Sequence, residues 1–541
     1  MCMNAFDKIT SFIGVKEEKK DAVLVASLAI LTIGFYLPAI ISFPYFYADD
    51  FYVLAQLKNS FVISLSEIKK VFYFVGLRPL SAFSLSLDYH LWGMNAIYYK
   101  FESLVLHAAT ICVFYFLVRI VLLEYTGKPN RTIQFLFSLL LAVHSDLFWG
   151  VVWIADRTEV LMLFFYVLLL LLTFRFLQTR RTLYYVGMLI AFLAAVLSKE
   201  QPLHFPVLFI ILLLLHEWRA GIRIDVKKAL LLAAPFLIIA IFYTAIHQTY
   251  AFYTTTFQIL LRKPLAFIGT LLYCIFPLAA GPIYYFFYHH FILSLVILAI
   301  VVGVIFAVSL RSWRSVMPYA ISLLIVLVAF VPRIFNWSGG RINSLQIAVL
   351  ILLMALWLGT KTRKKTMAAA VVSLFILSHA IASQYYVQVL KEDFFNRRKE
   401  IEPVLALCKS FPSKNYFLLV SPDRDQITLP YELYYEMYGS FGMMRNINFS
   451  GMEFISKFDD AGKKVNVQKE KNRWIVQSLR YDTRLDTIRY PYWKKFTQIK
   501  KMIPHSSGIG SQEIDFDLVG VPKGSTLLYT DGEKWYHKDM E

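Results

Sequence analysis

The sequence has little cysteine. Only four cysteines occur among 541 residues, and they are Cys2, Cys112, Cys274 and Cys408. Their wide separation lacks the paired spacing of a cysteine metal site, and their number is too small for a disulfide framework. The sequence therefore excludes a disulfide-rich scaffold and a cysteine-type zinc protein.

Charge is also scarce, and several common enzyme motifs are missing. Charged residues make up 17% of the chain, against 58% hydrophobic residues. No tetratricopeptide or other repeat of solenoid period occurs. The polar C-terminal part contains no Walker loop, Rossmann glycine fingerprint, HExxH pair or nucleophile elbow. The motifs that would place a nucleotide, a catalytic zinc or an acyl-enzyme serine there are therefore absent.

Long apolar runs are what the chain does contain. They recur over the first seven-tenths of the sequence at about the length of a bilayer crossing, which predicts a polytopic α-helical membrane protein. The first run is interpreted as a retained span, because no short hydrophobic segment with a small-residue cleavage site opens the chain. The predicted spans are 22–43, 99–123, 132–150, 158–177, 182–198, 202–217, 229–248, 264–281, 291–310, 316–333, 342–359 and 366–386.

The basic residues predict the orientation. The net charge of +18 comes largely from clusters in short loops, which is typical of cytoplasmic loops and argues against nucleic acid as a partner. These clusters place the N-terminus inside. All of them can be inside only if 249–310 crosses an odd number of times, so 264–290 is predicted to be re-entrant or interfacial, which leaves about 11 true spans. The loop 44–98 and the chain after residue 386 then lie together on the outer face. The predicted cytoplasmic residues are Lys16, Lys19, Lys20, Arg175, Arg180, Arg181, Arg219, Arg223, Lys227, Lys228, Arg311, Arg314 and the KTRKK segment at 361–365.

The composition changes at residue 390. Mixed charge and strand-like segments such as "NYFLLVS" and "STLLYT" follow, which predicts a soluble α+β domain at 390–541 on the outer face. The membrane domain then comprises 1–389, and its first outer loop, 44–98, is predicted to contain short interfacial helices.

Two adjacent acids begin that loop. Asp49 and Asp50 follow the first span within "FPYFYADDFYVL", where a carboxylate facing lipid is costly and one facing a water-filled cavity is not. One interpretation is that they cap the following helix, which residue type alone favours. The other is that they take part in catalysis.

Basic residues near the outer ends of spans oppose the positive-inside trend. A phosphate at the headgroup level would explain them, because Arg and Lys form short charge-assisted bonds to phosphate oxygens. Snorkelling to lipid headgroups, or pairing with acids, is the alternative for each residue taken singly. The set comprises Arg78, Arg157, Lys199, Arg262, Lys263, Arg333 and Arg341.

Several sequence blocks together resemble one family. The blocks are "RPL" at 78–80, "LDYHLWG" at 87–93, "LLAVHSDLFWGVVWIADRTEVL" at 140–161, "LSKEQPLHFP" at 197–206 and "GGRIN" at 339–343. They resemble GT-C-fold polyprenyl-phosphate-sugar glycosyltransferases, and most closely the membrane half of O-mannosyltransferases with tetratricopeptide repeats and their bacterial relatives. The chain departs from that family where Ser145 replaces the usual proline, and where a different C-terminal domain replaces the repeats.

The resemblance implies a set of roles. Asp49 or Asp50 would be the general base on an acceptor hydroxyl, and the other acid would orient it or bind a divalent cation such as Mg²⁺ or Mn²⁺. The donor would be a sugar carried by a polyprenyl phosphate, transferred with inversion. Its phosphate would be bound by Arg78, Lys199 and Arg341.

Five further residues are candidates for acceptor binding or for support of the site: His144, Asp156, Arg157, Glu159 and Glu200. Asp156 and Glu159 could instead pair locally with Arg157, and Lys199 could pair with Glu200. His144 could be a structural hydrogen-bonding residue or, less favoured by its position at a span end, a metal ligand. The metal requirement stays open.

The predicted function is an integral-membrane glycosyltransferase of the inner or plasma membrane, with a cytoplasmic N-terminus and an extracytoplasmic C-terminal domain. Its partners would be membrane lipids, the lipid-linked donor, and a glycan, lipid or protein acceptor. A flippase or transporter of a lipid-linked sugar is one alternative, although no inverted pair of broken helices supports it. A non-catalytic scaffold with an outer binding domain is the other.

Overall fold

The fold is taken from a computed structural model. It describes residues 17–47, 50–51, 53–54, 78–127, 129–222, 225–248, 344–360, 365–409, 416–421, 448–455, 465–470, 473–478, 482–483, 497–504, 511–518, 526–530 and 535–539. The chain divides into two compact units. The first comprises residues 1–45 and 62–389, and the second comprises residues 46–61 and 390–541.

The first unit is helical throughout its described part. Its helices are α1 (Glu17–Ser42), α2 (Pro79–Trp92), α3 (Ala96–Thr126), α4 (Arg131–Val143), α5 (Ser145–Val152), α6 (Arg157–Thr179), α7 (Thr182–Ser198), α8 (Phe205–Arg219), α9 (Val226–Gln248) and α10 (Ser344–Thr360). Short 3₁₀ turns, Ile154–Asp156 and Gln201–His204, precede α6 and α8. A final helix, α11 (Lys365–Lys409), begins in the first unit and ends in the second.

Five segments are long and apolar enough to cross a membrane: Lys19–Ser42, Ala96–Tyr125, Ile154–Thr179, Gln201–Arg219 and Val226–Ala245. Shorter apolar helices occupy Thr182–Ser198 and Ser344–Leu356. These elements coincide with predicted spans and indicate an integral membrane protein. The predicted spans at 264–281, 291–310 and 316–333 lie outside the described residues, so the total of about 11 spans stays a prediction.

The predicted span 132–150 is not one straight helix. It consists of α4 and α5, which meet at His144 with a bend of 57°. His144 has an extended backbone, and its Nδ1 accepts a hydrogen bond from the N–H of Asp146, so the residue caps the start of α5. Hydropathy alone did not reveal this break, because the segments on both sides of it are apolar on average.

The predicted span 366–386 is also longer than expected. Its residues fall within α11, which has 45 residues and includes Pro403. The helix therefore continues past residue 390, where the change of composition predicted the start of the soluble domain. Polar side chains are tolerated in a helix outside the bilayer, so composition marks a change of solvent rather than the end of the helix.

In the loop 44–98, α2 begins at Pro79, the first helical position, where a proline costs no intrahelical hydrogen bond. Its buried face includes the polar residues Ser86 and Asp88 beside Leu85, while Phe83 and Leu91 are exposed. The interfacial position expected of this helix stays a prediction.

The core of the first unit contains buried residues from α1 and from each of the helices α3 to α11. Aromatic rings from three helices meet within it, with Phe205, Phe209 and Phe236 in mutual contact and Phe192 beside Phe205. Because lipid is as apolar as these side chains, close packing rather than removal from water stabilises their association.

Charged side chains lie in two layers, one near each end of α3. Near its beginning, Ser103 accepts a hydrogen bond from Arg157, and near its end Arg119 pairs with Asp21 of α1. Asp21 also pairs with Arg131, at the start of α4. About 24 Å of helix separates Ser103 from Arg119 at 1.5 Å per residue, a distance close to the roughly 30 Å hydrocarbon core of a bilayer. The helices therefore hold charge at two levels and are apolar between them.

The second unit contains nine described strands. They are β1 (Tyr416–Ser421), β2 (Asn448–Ile455), β3 (Val465–Glu470), β4 (Arg473–Ser478), β5 (Asp482–Thr483), β6 (Thr497–Pro504), β7 (Ser511–Leu518), β8 (Thr526–Thr530) and β9 (Trp535–Asp539). Strand β1 pairs in parallel with β2 and β8, and β9 pairs antiparallel with β8. Strands β3, β4, β7 and β6 form an antiparallel part, which β5 links to β2.

Candidate functional site

The centre of the charged layer is Arg157, at the start of α6. Its side chain is fully buried, and Nη2 lies 2.7 Å from a carboxylate oxygen of Asp88 on α2. Nε donates to Ser103 at 2.7 Å, Nη1 donates to Ser84 at 3.1 Å, and Nη2 also donates to the carbonyl of Tyr99. Arg157 therefore ties α6 to both α2 and α3.

The local ion pair considered for this residue is not what the structure shows. The carboxylates near Arg157 are Asp88 and, at 3.7 Å, Glu102, rather than Asp156 or Glu159. A guanidinium is planar and carries five donors, so it can serve several acceptors at once, which suits a residue that joins three helices.

Lys199 forms the second buried pair. It follows α7 directly, and its ammonium group is hydrogen-bonded to Glu159 of α6; each side chain is about 4% exposed. Glu159 also accepts from the hydroxyl of Ser344, the first residue of α10, and from the amide of Gln201 at 3.4 Å. The partner of Lys199 is thus Glu159, and not the adjacent Glu200.

Arg78 and Glu200 form the third pair. Nη2 of Arg78 lies 3.1 and 3.2 Å from the two carboxylate oxygens, and Nε donates to one of them at 3.3 Å. These side chains are more accessible than the other pairs, at 29% for Arg78 and 15% for Glu200. Because the guanidinium of Arg78 is partly exposed, a ligand can contact it without displacement of covering residues.

The second and third pairs influence each other. Burial opposes ionisation of Glu200, but Arg78 and Lys199 outweigh it and lower the pKa of Glu200 to about 2. Burial likewise opposes the charge of Arg78, and the attraction of Glu200, with a smaller contribution from Glu159, raises the pKa of Arg78. The Arg78–Glu200 pair therefore remains charged at physiological pH, and it belongs to one electrostatic cluster with Lys199 and Glu159.

A fourth polar group lies at the bend between α4 and α5. The rings of His144 and His379 are stacked with centroids 3.9 Å apart. Nδ1 of His379, which belongs to α11, lies 3.4 Å from the N–H and 3.2 Å from the hydroxyl of Ser145. Because backbone N–H groups only donate, both Nδ1 atoms are acceptors, which indicates that each neutral ring carries its proton on Nε2.

These two rings line a small cavity whose other walls are apolar. Among the described residues no group of three or more His, Cys, Asp or Glu side chains is arranged to hold a metal ion. The contacts that His144 makes include the cap on α5 and the stacking on His379.

Lys100, near the start of α3, is fully buried. Its ammonium group donates to the carbonyls of Phe43 and Tyr45, each at 2.7 Å, and lies 4.2 Å from the centroid of the Phe43 ring. These two carbonyls belong to the chain that leaves α1 towards the acid pair. Lys100 therefore fixes the first residues after α1.

Asp50 is helical and fully buried, and its carboxylate accepts a hydrogen bond from the N–H of Tyr47 at 2.9 Å. An acid that accepts from the N–H three residues earlier matches the reciprocal half of a capping box, and the roles predicted for the two acids stay predictions. The contact and both acids belong to segment 46–61 of the second unit. Asp49 and Arg341 lie outside the described residues.

Sequence reasoning missed several members of the charged layer: Asp88, Lys100, Glu102, Ser344 and His379. Asp88 and Glu102 flank the WG turn between α2 and α3, within and just after the "LDYHLWG" block. An acid in an otherwise apolar segment was the available signal for both. Ser344 and His379 carried no such signal, because each is separated from its partner by more than a hundred residues.

Comparison with solved structures finds several similar chains. No family model matches the sequence, and no curated protein matches it. The crystal structure of the apo form of the Archaeoglobus fulgidus oligosaccharyltransferase aligns with 69% of this chain and with 56% of its own chain, at 13% identity and a TM-score of 0.38. A similarity at that level supports no conclusion about the fold or the function of this chain.

Proposed function

We propose that the protein is an integral-membrane glycosyltransferase that moves a sugar from a polyprenyl-phosphate donor to an acceptor hydroxyl on the outer face. The observation that carries the proposal is the convergence of separate sequence blocks in one charged layer. The RPL block supplies Arg78, the LDYHLWG block Asp88, the ADRTEV block Arg157 and Glu159, and the SKEQP block Lys199 with Glu200.

A layer of buried charged side chains costs folding free energy, which indicates that it serves a function. Each buried ion must be removed from water, and contact with lipid needs no charge of this kind. Structural pairs alone could account for Arg157, whose donors are directed at protein acceptors. The partly exposed Arg78 fits a ligand better, because a guanidinium binds phosphate with the same fork that it presents to a carboxylate.

Arg78 is accordingly the leading phosphate ligand of this proposal. Lys199 remains a contributor at short range, although its bond to Glu159 would have to loosen for direct contact. Arg341 of the GGRIN block is proposed as a third ligand on the basis of the sequence resemblance. A cluster of this kind stabilises the charge that develops on a departing phosphate.

The base in this proposal is Asp49 or Asp50. The carboxylate takes the proton of the acceptor hydroxyl while the hydroxyl oxygen forms its bond to the anomeric carbon. The bond from that carbon to the phosphate oxygen breaks in the same step, which inverts the configuration, and the electron pair leaves on the polyprenyl phosphate. The second acid would orient the base or bind Mg²⁺ or Mn²⁺.

The proposed arrangement in the membrane follows the basic loops. The N-terminus would be cytoplasmic, while the acid pair and the C-terminal domain, as an α+β domain at 390–541, would be extracytoplasmic. The acceptor would be a cell-surface glycan, lipid or protein.

The deciding experiment uses the purified full-length protein in lipid nanodiscs with a panel of polyprenyl-phosphate sugars. We expect one donor to be consumed in the presence of extracts that contain surface glycans, with release of polyprenyl phosphate. A flippase would move labelled donor across liposomes without cleaving it, and a scaffold would do neither. Absence of cleavage for every donor and acceptor tested would contradict the proposal.

A further inference from the structure

The Arg78–Glu200 ion pair is more exposed than the Lys199–Glu159 pair, and its acid has fewer side-chain partners. Glu159 is held by Lys199, by Ser344 and by Gln201, and its side chain is almost completely buried. For Glu200, the side-chain partner in the described residues is Arg78, and both side chains retain access to solvent. Of the two pairs, the one with Glu200 can open at lower cost.

A phosphate would need the atoms that Glu200 now uses. Nε and Nη2 of Arg78 point at the two carboxylate oxygens in a forked contact, and a phosphate bound by a guanidinium uses an equivalent fork. A carboxylate and a phosphate cannot both occupy these donors, and like charges at that distance repel each other. Binding of a phosphate to Nε and Nη2 therefore requires Glu200 to move.

We propose that Glu200 is an internal competitor for the phosphate site: it occupies Arg78 in the empty protein, is displaced by the prenyl phosphate, and returns when the product leaves. The identity of the phosphate rests on the proposed function. A displaced Glu200 is not left without a counter-charge, because Lys199 already acts on it electrostatically. The exchange thus limits the affinity for polyprenyl phosphate and favours its release.

The experiment measures binding rather than transfer. The full-length protein and Glu200→Gln are placed in phosphatidylcholine nanodiscs, and farnesyl phosphate is titrated with farnesol as the matched probe without phosphate. Glutamine keeps the size and a hydrogen bond but removes the competing charge. We expect farnesyl phosphate to bind about fivefold more tightly to Glu200→Gln, the factor for a partly exposed ion pair, with farnesol unchanged.

Arg78 provides the control for mechanism. The gain should disappear when Glu200→Gln is combined with Arg78→Gln, because the competition takes place on that guanidinium. Unchanged or weaker binding of farnesyl phosphate to a folded Glu200→Gln would overturn the proposal, as would a gain that persists without Arg78. If Glu200→Gln does not fold, Glu200→Asp serves instead: its shorter side chain keeps the charge but reaches Arg78 less well, and its affinity should exceed that of the wild type.

Two further probes separate the sources of phosphate. Glu200→Gln should increase the affinity for inorganic phosphate, or for phosphatidylglycerol in nanodiscs, less than it increases the affinity for farnesyl phosphate. An equal increase for either probe would overturn the prenyl specificity. A tighter Glu200→Gln complex in a protein that transfers no sugar would support the exchange while contradicting the proposed enzyme. Transfer activity with an unchanged affinity of Glu200→Gln for farnesyl phosphate would support the proposed enzyme and contradict the exchange.

Discussion

Arg157 and Asp88 face each other in a pair from which water is excluded, with 2.7 Å between Nη2 and Oδ2 and exposures of 0% and 1%. The arginine begins α6, whereas the aspartate belongs to α2. The pair therefore fastens α2 to α6. Removing one partner would leave the other charge buried and uncompensated.

Arg157→Met and Asp88→Asn should each destabilise the protein by about 3–5 kcal/mol, while the double variant should lose less than the sum of the two. Thermal unfolding in detergent, followed by intrinsic fluorescence, measures the three changes. Ser84→Ala removes a neighbouring bond without removing charge and serves as the mild control. Fully additive losses would show that the two residues act independently.

The helices of the first unit were largely predictable, but their contacts were not. Hydropathy identified segments such as α3 and α6, because length and apolar character are local properties of a sequence. The partner of Arg157 could not be found in this way, since Asp88 is 69 residues away in the chain. The neighbouring acids Asp156 and Glu159 were the obvious choices, and tertiary packing overrode both.

The sequence drew attention to Asp49 and Asp50, but it could not predict which parts of the chain lie around them. The sequence favoured capping for Asp49 and Asp50 on residue type alone, and Asp50 does accept from the N–H of Tyr47. The grouping of segment 46–61 with the C-terminal residues had no local signal, because it depends on packing between parts of the chain more than 300 residues apart.

The substitution Asp50→Asn separates capping from catalysis. Asparagine retains an oxygen that can accept the Tyr47 N–H, but it cannot take a proton from an acceptor hydroxyl. Loss of the general base should lower the transfer rate by about 10²- to 10⁴-fold in Asp50→Asn or in Asp49→Asn, with donor binding and unfolding temperature nearly unchanged. Turnover assays and donor titration on the same preparations test this expectation.

Asp50→Ala is the matched variant, because it removes the cap as well and should also lower the unfolding temperature. If both asparagine variants keep near wild-type turnover, then the acids are caps and the proposed mechanism is wrong.

Arg78→Ala should weaken donor binding about 10- to 100-fold, the range for a charge-assisted contact of about 1.5–3 kcal/mol. Lys199→Ala should also weaken it, but with a larger loss of stability, because Glu159 is left buried without its counter-charge. Arg341→Ala is expected to weaken donor binding alone. Donor titration and thermal unfolding distinguish the three variants, and equal donor affinity in all of them would exclude these residues from the phosphate site.

Lys100 offers a test of how the outer loop is held. Lys100→Met keeps the length of the side chain but leaves the carbonyls of Phe43 and Tyr45 without their charged donor, which should cost about 2–3 kcal/mol of stability. Limited proteolysis should then cut loop 44–98 faster than in the wild type. Lys16→Met, outside the described residues and in the predicted cytoplasmic segment, provides a control that should leave the loop unaffected.

The last prediction concerns the C-terminal domain, which we propose selects or orients the acceptor while chemistry stays with the membrane domain. Deletion of residues 391–541 would cut α11 in its middle, whereas deletion of 410–541 leaves that helix whole. We expect both truncated proteins to bind the donor and to hydrolyse it slowly, but to transfer no sugar to the acceptor. The longer of the two should also be the more stable, because it keeps the complete helix.

The rate of donor hydrolysis is the informative measurement, since segment 46–61 shares a unit with the deleted residues. If hydrolysis persists, then the acids still act on water and the missing step is acceptor recognition. If hydrolysis disappears along with transfer, then the domain is needed to hold the acids. Unchanged acceptor transfer by the 1–409 protein would show that the domain has neither role.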